Sequence, residues 1–181
     1  MKRDGTGLVQ LTSGGDNSEP ALSSDGRTVF YTSRRDGPPS ILKIPIEGGE
    51  SVQVIGSNSS WADVSPDGRY IAYLKDSGPD AIKRRLGVMR LEDGQETAVF
   101  TLPKNAAAYN RLRWTADGKS ILYKDGVQGL WRQDLDKEKP ERIPAFDDLR
   151  VFHFSVLPNG GILYSGGVQM RQIMIVSLGE G

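Results

Sequence analysis

Apolar residues in this chain fall in short runs separated by turns rich in glycine, aspartate and proline, and one such run is written four times. Four turns share one phase: Ser24-Asp25-Gly26-Arg27, Pro66-Asp67-Gly68-Arg69, Ala116-Asp117-Gly118-Lys119 and Pro158-Asn159-Gly160-Gly161. Their Asp or Asn positions lie 42, 50 and 42 residues apart. Asp-Gly and Asn-Gly supply the positive φ angles that a tight hairpin needs. Three residues before each Asp or Asn stand Leu22, Val64, Trp114 and Val156. After each turn come Val29-Phe30-Tyr31, Ile71-Ala72-Tyr73, Ile121-Leu122-Tyr123 and Ile162-Leu163-Tyr164, the last copy one residue shorter. The pattern predicts a strand, a tight turn and a nearly all-apolar strand, four times over.

A third strand is predicted over 41–46, 87–91, 130–135 and 173–178, followed by turns at Glu47-Gly48-Gly49, Glu92-Asp93-Gly94 and Asp136 to Pro140. A more polar fourth strand follows over 51–55, 96–102 and 141–143. Four strands per ~40–45 residues is the period of a β-propeller blade. A blade is covered on both faces by its neighbours, so its middle strands lose the in–out alternation of a half-exposed sheet. The helical signal is weak and confined to one turn at Lys104 to Tyr109. The predicted architecture is an all-β, four-bladed propeller with four antiparallel strands per blade, a single domain over 1–181. The blades run over about 13–55, 56–102, 103–144 and 145–181.

The chain ends share a phase. Asp4-Gly5 sits where Glu47-Gly48 and Asp93-Gly94 sit, so residues 7–12 read as a fourth strand without a first three. The C-terminus stops at the same phase, just past Leu178. Strand 7–12 is therefore expected to complete the blade ending near 178, which removes open blade faces and strand edges. Otherwise the four blades form part of a larger propeller, or two copies complete a ring as a homodimer.

The copies resemble the TolB-type, WD-like propeller repeat. The resemblance rests on Leu22 to Gly37 followed by Ile41-Leu42, on Val64 to Tyr73, on Trp114 to Tyr123 and on the degenerate Val156 to Tyr164. The opening Asp4 to Thr12 also looks like the family's link between blades. This covers most of the chain. It implies the propeller fold, usually with six or more blades, where this chain writes four. Members act as periplasmic envelope proteins, as domains beside winged-helix regulators or kinases, and as the propeller half of prolyl-oligopeptidase-like hydrolases. A periplasmic location is what the resemblance implies, although the N-terminus has no apolar run of the signal-peptide kind.

Composition narrows the chemistry. Lys plus Arg and Asp plus Glu each total 23, which argues against general nucleic-acid binding. No cysteine is present and His153 is the only histidine, so thiolate catalysis and multi-histidine metal sites are excluded. No stretch approaches the ~20 apolar residues of a membrane helix. No Gly-x-Ser-x-Gly nucleophile elbow, no phosphate loop and no dinucleotide fingerprint occurs. Asp4-Gly-Thr-Gly is superficially like the aspartic-protease motif, but it has no second copy to supply a carboxylate pair. Asp36, Asp76, Asp80 and Asp125 lack the dense spacing of a calcium loop. Arg34-Arg35 and Lys83-Arg84-Arg85 are expected as solvated charge in loops between second and third strands. The expected protein is non-catalytic, without cofactor or metal, and binds a protein or peptide. The competing expectations are an accessory propeller of a prolyl-oligopeptidase-like hydrolase and the sensory propeller of a winged-helix or kinase regulator.

One register position stands out. Six residues before each Asp or Asn lie Glu19, Trp61, Arg111 and His153. A buried position would not accept that set, because unpaired buried charge is costly. Trp114, Leu22, Val64 and Val156 are instead expected in the core, and Trp131 between blades. Each of the four variable residues should start an innermost strand and line one mouth of the central channel. Asp63 and Arg113, two residues further on in their copies, should face the same way. The predicted binding residues are therefore Glu19, Trp61, Asp63, Arg111, Arg113 and His153. The competing reading is that they only plug the mouth, with Glu19 paired to Arg111.

Overall fold

The computed structural model describes residues 6–76, 84–103, 111–124 and 129–167. Three sheets have four strands in simple sequential order. The first blade is β1 (Asn17–Leu22), β2 (Thr28–Ser33), β3 (Ser40–Pro45) and β4 (Val52–Ile55). The second is β5 (Ser59–Val64), β6 (Tyr70–Asp76), β7 (Arg84–Arg90) and β8 (Glu96–Thr101). The third is β9 (Leu112–Trp114), β10 (Ser120–Lys124), β11 (Leu130–Asp134) and β12 (Glu141–Arg142). A 3-10 turn at Pro144–Phe146 leads to the fourth, of which β13 (Arg150–Val156) and β14 (Ile162–Gly167) are described. All ladders are antiparallel. The expected one-turn helix at 104–109, the third strand at 173–178 and most of Lys83's loop lie outside the described residues.

The repeated turn is built differently from the hairpin that the sequence suggests. Only its glycine takes a positive φ: 73° at Gly26, 72° at Gly68, 67° at Gly118 and 83° at Gly160. The aspartate works through its side chain. Asp25 Oδ1 accepts from the Ser23 hydroxyl at 2.6 Å and from the Arg27 amide at 3.0 Å. Asp67 does the same with Ser65 and Arg69, and Asp117 with Thr115 and Lys119. These hydroxyls first, and the amides second, hold all three carboxyls below the usual carboxylate range. The fourth turn has Leu157 where the others have Ser or Thr, and keeps only the Gly161 amide bond to Asn159.

Blades pack face to face through their middle strands. Ala21, Phe30, Ile41 and Ile55 of the first blade meet Ala62, Ile71, Tyr73 and Met89 of the second. Ala72, Leu74, Leu86, Val88 and Phe100 then meet Leu112, Trp114, Ile121 and Tyr123 of the third. Leu122, Leu130 and Phe146 meet Val151 and Phe154 of the fourth. Trp131 packs on the second of these clusters, between blades as expected. Leu22 departs from expectation and is 54% exposed. Its counterparts Val64, Trp114 and Val156 each pack on the preceding blade, whereas no blade precedes Leu22 among the described residues.

Two further expectations are revised. Arg84 and Arg85 belong to β7 rather than to a loop. Arg84 Nε donates to Asp76 Oδ1 at 2.9 Å directly across the ladder, and such an opposite-charge pair extends the pairing. Residues 7–12 form no strand in the described structure, with Leu8 82% and Val9 61% exposed. Leu11 and Thr12 line a recess beside Val29, Tyr31 and Ile44 on the free face of the first blade. The segment 173–178, with which strand 7–12 was expected to close the ring, lies outside the described residues, and the described residues form no closed ring.

Candidate functional site

The first strands of successive blades lie side by side, β1 against β5, β5 against β9 and β9 against β13. Three of the four carry a bulge near their start. One extra residue is inserted between Ser18 and Ala21 in β1 and between Ser60 and Asp63 in β5, and the ladder of β13 shifts between Val151 and His153. The bulges of β1 and β5 place Glu19 at φ 59° and Trp61 at φ 58°. A left-handed backbone costs a residue with a Cβ roughly 1–2 kcal/mol. Arg111 stands just ahead of β9, outside its ladder.

The bulge at Trp61 takes its amide out of the ladder. Glu19 Oε2 accepts that amide at 3.1 Å and the Thr32 hydroxyl at 2.7 Å. The carboxylate of one blade thereby holds the bulge of the next. The pairing of Glu19 with Arg111 that the competing reading supposed is not formed, and Arg111 makes no ion pair with any described residue. Glu19, Trp61 and Arg111 nevertheless line one cleft of about 160 Å³, together with Pro20, Ala62, Leu112 and Arg113. His153 is exposed on β13 and does not line it.

Asp63 is turned elsewhere. The bulge breaks the alternation from which its direction was expected, and its side chain crosses to the third blade. Asp63 Oδ2 accepts the Trp114 amide at 2.9 Å, and Oδ1 accepts from Arg113 Nη1 at 3.2 Å. The Trp114 indole N–H donates to the Asp63 carbonyl at 3.0 Å. Burial raises the Asp63 carboxyl to about 6, against the opposing pull of Arg113 and the Trp114 amide. Arg113 is thus shared between this junction and the cleft wall. Sequence reasoning missed both the bulges and this junction. The only signal for the bulges was the mixture of Glu, Trp, Arg and His at one register position.

Among the described residues no group of three or more His, Asp or Glu is placed to hold a metal ion. Arg34 lies 3.7 Å from Asp16, and Arg35 donates to the carbonyl of Ser13, so both are engaged locally.

This arrangement defines a segment of β-propeller whose first strands converge on a small cleft. No protein-family model matches the chain. Its fold is that of TolB-type propellers. It superposes on TolB from Acinetobacter baumannii with a TM-score of 0.73 at 18% identity, covering 90% of this chain and 41% of that one. A TolB candidate from Agrobacterium tumefaciens gives 0.63 at 19% identity, covering 84% and 54%. A prolyl endopeptidase structure gives 0.57 at 16% identity, over 84% of this chain and 26% of the other. By sequence it is 27% identical over 125 residues to an uncharacterised protein of Agrobacterium fabrum, covering 64% of this chain and 42% of that protein. It is 25% identical over 185 residues to a protein named probable dipeptidyl-peptidase 5 from Arthroderma benhamiae, covering 85% and 26%. The chain therefore spans less than half the length of these sequence relatives.

Proposed function

We propose that this chain is a non-catalytic binding propeller whose cleft at Glu19, Trp61, Arg111 and Arg113 takes a side chain of a protein or peptide partner. The observation that carries this reading is the pair of left-handed, non-glycine residues, Glu19 and Trp61, at equivalent bulges on one cleft. Such strain concentrates where a side chain must be aimed. A cleft of about 160 Å³ is small for a free organic ligand, for which roughly 300–1,000 Å³ is typical. It suits one inserted side chain. Trp and Arg are also the favoured anchor types of protein interfaces. Exposed His153 contributes nothing to the cleft in this reading, and Asp63 supports it from behind through Arg113.

The test is selection of binders from a displayed peptide library on the intact chain, followed by affinity measurement on a double variant, Trp61→Ala with Arg111→Ala. The expected loss is ~2 kcal/mol or more, about thirtyfold, measured at a temperature where the double variant is still folded, because Trp61 also packs against the core cluster of the second and third blades. Selected peptides that bind the double variant equally well would place the site elsewhere.

A further inference from the structure

We propose that the groove between the third and fourth blades is a second ligand site, suited to a short zwitterionic peptide with aliphatic side chains. The groove holds about 640 Å³, within the usual range of small-molecule sites. Its lining includes the aliphatic side chains of Leu122, Ile143, Val156 and Ile162. The turns Thr115-Ala116-Asp117 and Pro158-Asn159-Gly160 flank it, and Arg132 lies at its wall.

The groove exists because the repeated turns stop touching. In the first seam, a Cβ on Gly68 would come within 2.5 Å of Ser24 Oγ of the preceding turn. In the second, a Cβ on Gly118 would lie 3.8 Å from Pro66 Cδ. In the third, a Cβ on Gly160 would meet nothing within 4 Å, although Ala116 holds the place of Ser24 and Pro66. The cause is local. The fourth turn is one residue shorter, closes with the Leu157 amide on the Gly161 carbonyl at 2.8 Å, and lacks the hydroxyl that braces the other three.

The polar groups of the groove are set in position. Arg132 Nε donates to Ser120 Oγ at 3.0 Å and to Asp134 Oδ1, while neither Nη group bonds to a described residue. Asp134 is held in turn by Lys137 at 3.0 Å. Asp117 spends Oδ1 on Thr115 and on the Lys119 amide, and Oδ2 has no partner among the described residues. A guanidinium with free amino groups matches a carboxylate, and a free carboxylate oxygen matches an ammonium. Both groups line the groove beside its aliphatic side chains, and Arg132 is near enough to add to the Thr115 hydroxyl in lowering the Asp117 carboxyl, so the donor set fits the closely spaced charged ends of a short aliphatic peptide. A fatty acid or a phosphate would leave Asp117 facing a like charge or no charge. This site shares no residue with the cleft at Trp61, so the two proposals stand or fall separately.

The test is titration of the intact, isotope-labelled chain with the dipeptide Leu-Val, read from amide chemical shifts. Saturable shifts are expected at Asn159 and Gly160, with at least tenfold weaker binding after N-acetylation or C-amidation. Ala116→Leu fills the groove from its rim and should abolish binding with no change in thermal midpoint. Arg132→Gln should weaken binding at least tenfold. Ala116→Leu keeps the proposal testable if the Arg132 variant fails to fold. Absence of saturable shifts, equal binding of the capped dipeptides, or binding untouched by Ala116→Leu would overturn it.

Discussion

The first two seams between blades and the third are built from the same repeat and finish differently. In the first two, an apolar face is reinforced by a carboxylate that reaches across. Glu19 takes the Trp61 amide in the first, and Asp63 takes the Trp114 amide and Arg113 in the second. In the third, the register position of Asp63 on the earlier blade holds Arg113, which is paired back to Asp63, and the same position on the fourth blade holds Ser155, which is exposed. The difference teaches that face-to-face packing brings blades together, whereas turn contacts and crossing carboxylates seal their ends. A seam lacking those seals keeps its apolar middle and opens at its rim.

The largest expected effect tests the packing. Trp114 is 4% exposed in the second seam and Phe154 is 2% exposed in the third. Truncating a buried aromatic to alanine costs about 3–5 kcal/mol. Trp114→Ala should reach the upper end, because it also removes the indole bond to the Asp63 carbonyl. Phe154→Ala should stay near the lower end, because it loses packing alone. Urea unfolding of both variants checks this. A larger loss at Phe154 would reverse the ranking of the seams.

The middle prediction isolates the carboxylate of the second seam through its pH dependence. With its carboxyl raised to about 6, folded Asp63 binds a proton more tightly than unfolded Asp63 does. Its contribution is therefore most favourable below about pH 4 and is lost as pH rises to about 6. The rise from the ordinary aspartate range to about 6 corresponds to at most ~3 kcal/mol. Asp25, Asp67 and Asp117 work in the opposite sense, losing stability as pH falls through their lowered values. They are common to wild type and Asp63→Asn, so the difference between the two proteins isolates Asp63. Relative to Asp63→Asn, wild type should lose stability between pH 4 and pH 7. A flat difference across that interval would mean that the carboxyl is not desolvated in the seam.

What the sequence made legible follows the same division. The strand order of the first three blades and the phase of all four turns were readable because each depends on local chemistry repeated in every copy: Gly26, Gly68, Gly118 and Gly160, and the apolar runs behind them. Leu22 was misjudged because burial depends on a neighbouring blade, and the residue itself looks like its buried counterparts. The bulges were hidden because Glu19 and Trp61 hold the left-handed backbone without the glycine or asparagine that usually announces it. The direction of Asp63 followed from an unbroken period of two, which those bulges interrupt. Of the six residues placed at the channel mouth, Glu19, Trp61, Arg111 and Arg113 come together in the cleft; Asp63 and His153 do not line it.

The smallest expected effect decides whether the third seam is open at its rim in solution. Gly26, Gly68, Gly118 and Gly160 share one backbone conformation, so alanine at any of them carries the same left-handed cost of roughly 1–2 kcal/mol. Differences among the four variants therefore report only what the new methyl group meets. At Gly26 and Gly160 it meets nothing within 4 Å, and at Gly118 it makes an ordinary contact. At Gly68 it would meet Ser24 Oγ, which must rotate away, adding about 0.5–1 kcal/mol. Adding Ser24→Ala to Gly68→Ala removes that oxygen and leaves only a contact at 3.7 Å, so the double variant should return to the level of Gly160→Ala. Four single variants and one double variant, compared by urea midpoint, give the answer. Should Gly160→Ala cost as much as Gly68→Ala, the fourth turn rests against the third as the others do. The groove between them would then be closed, and the contrast between the seams would be one of packing alone.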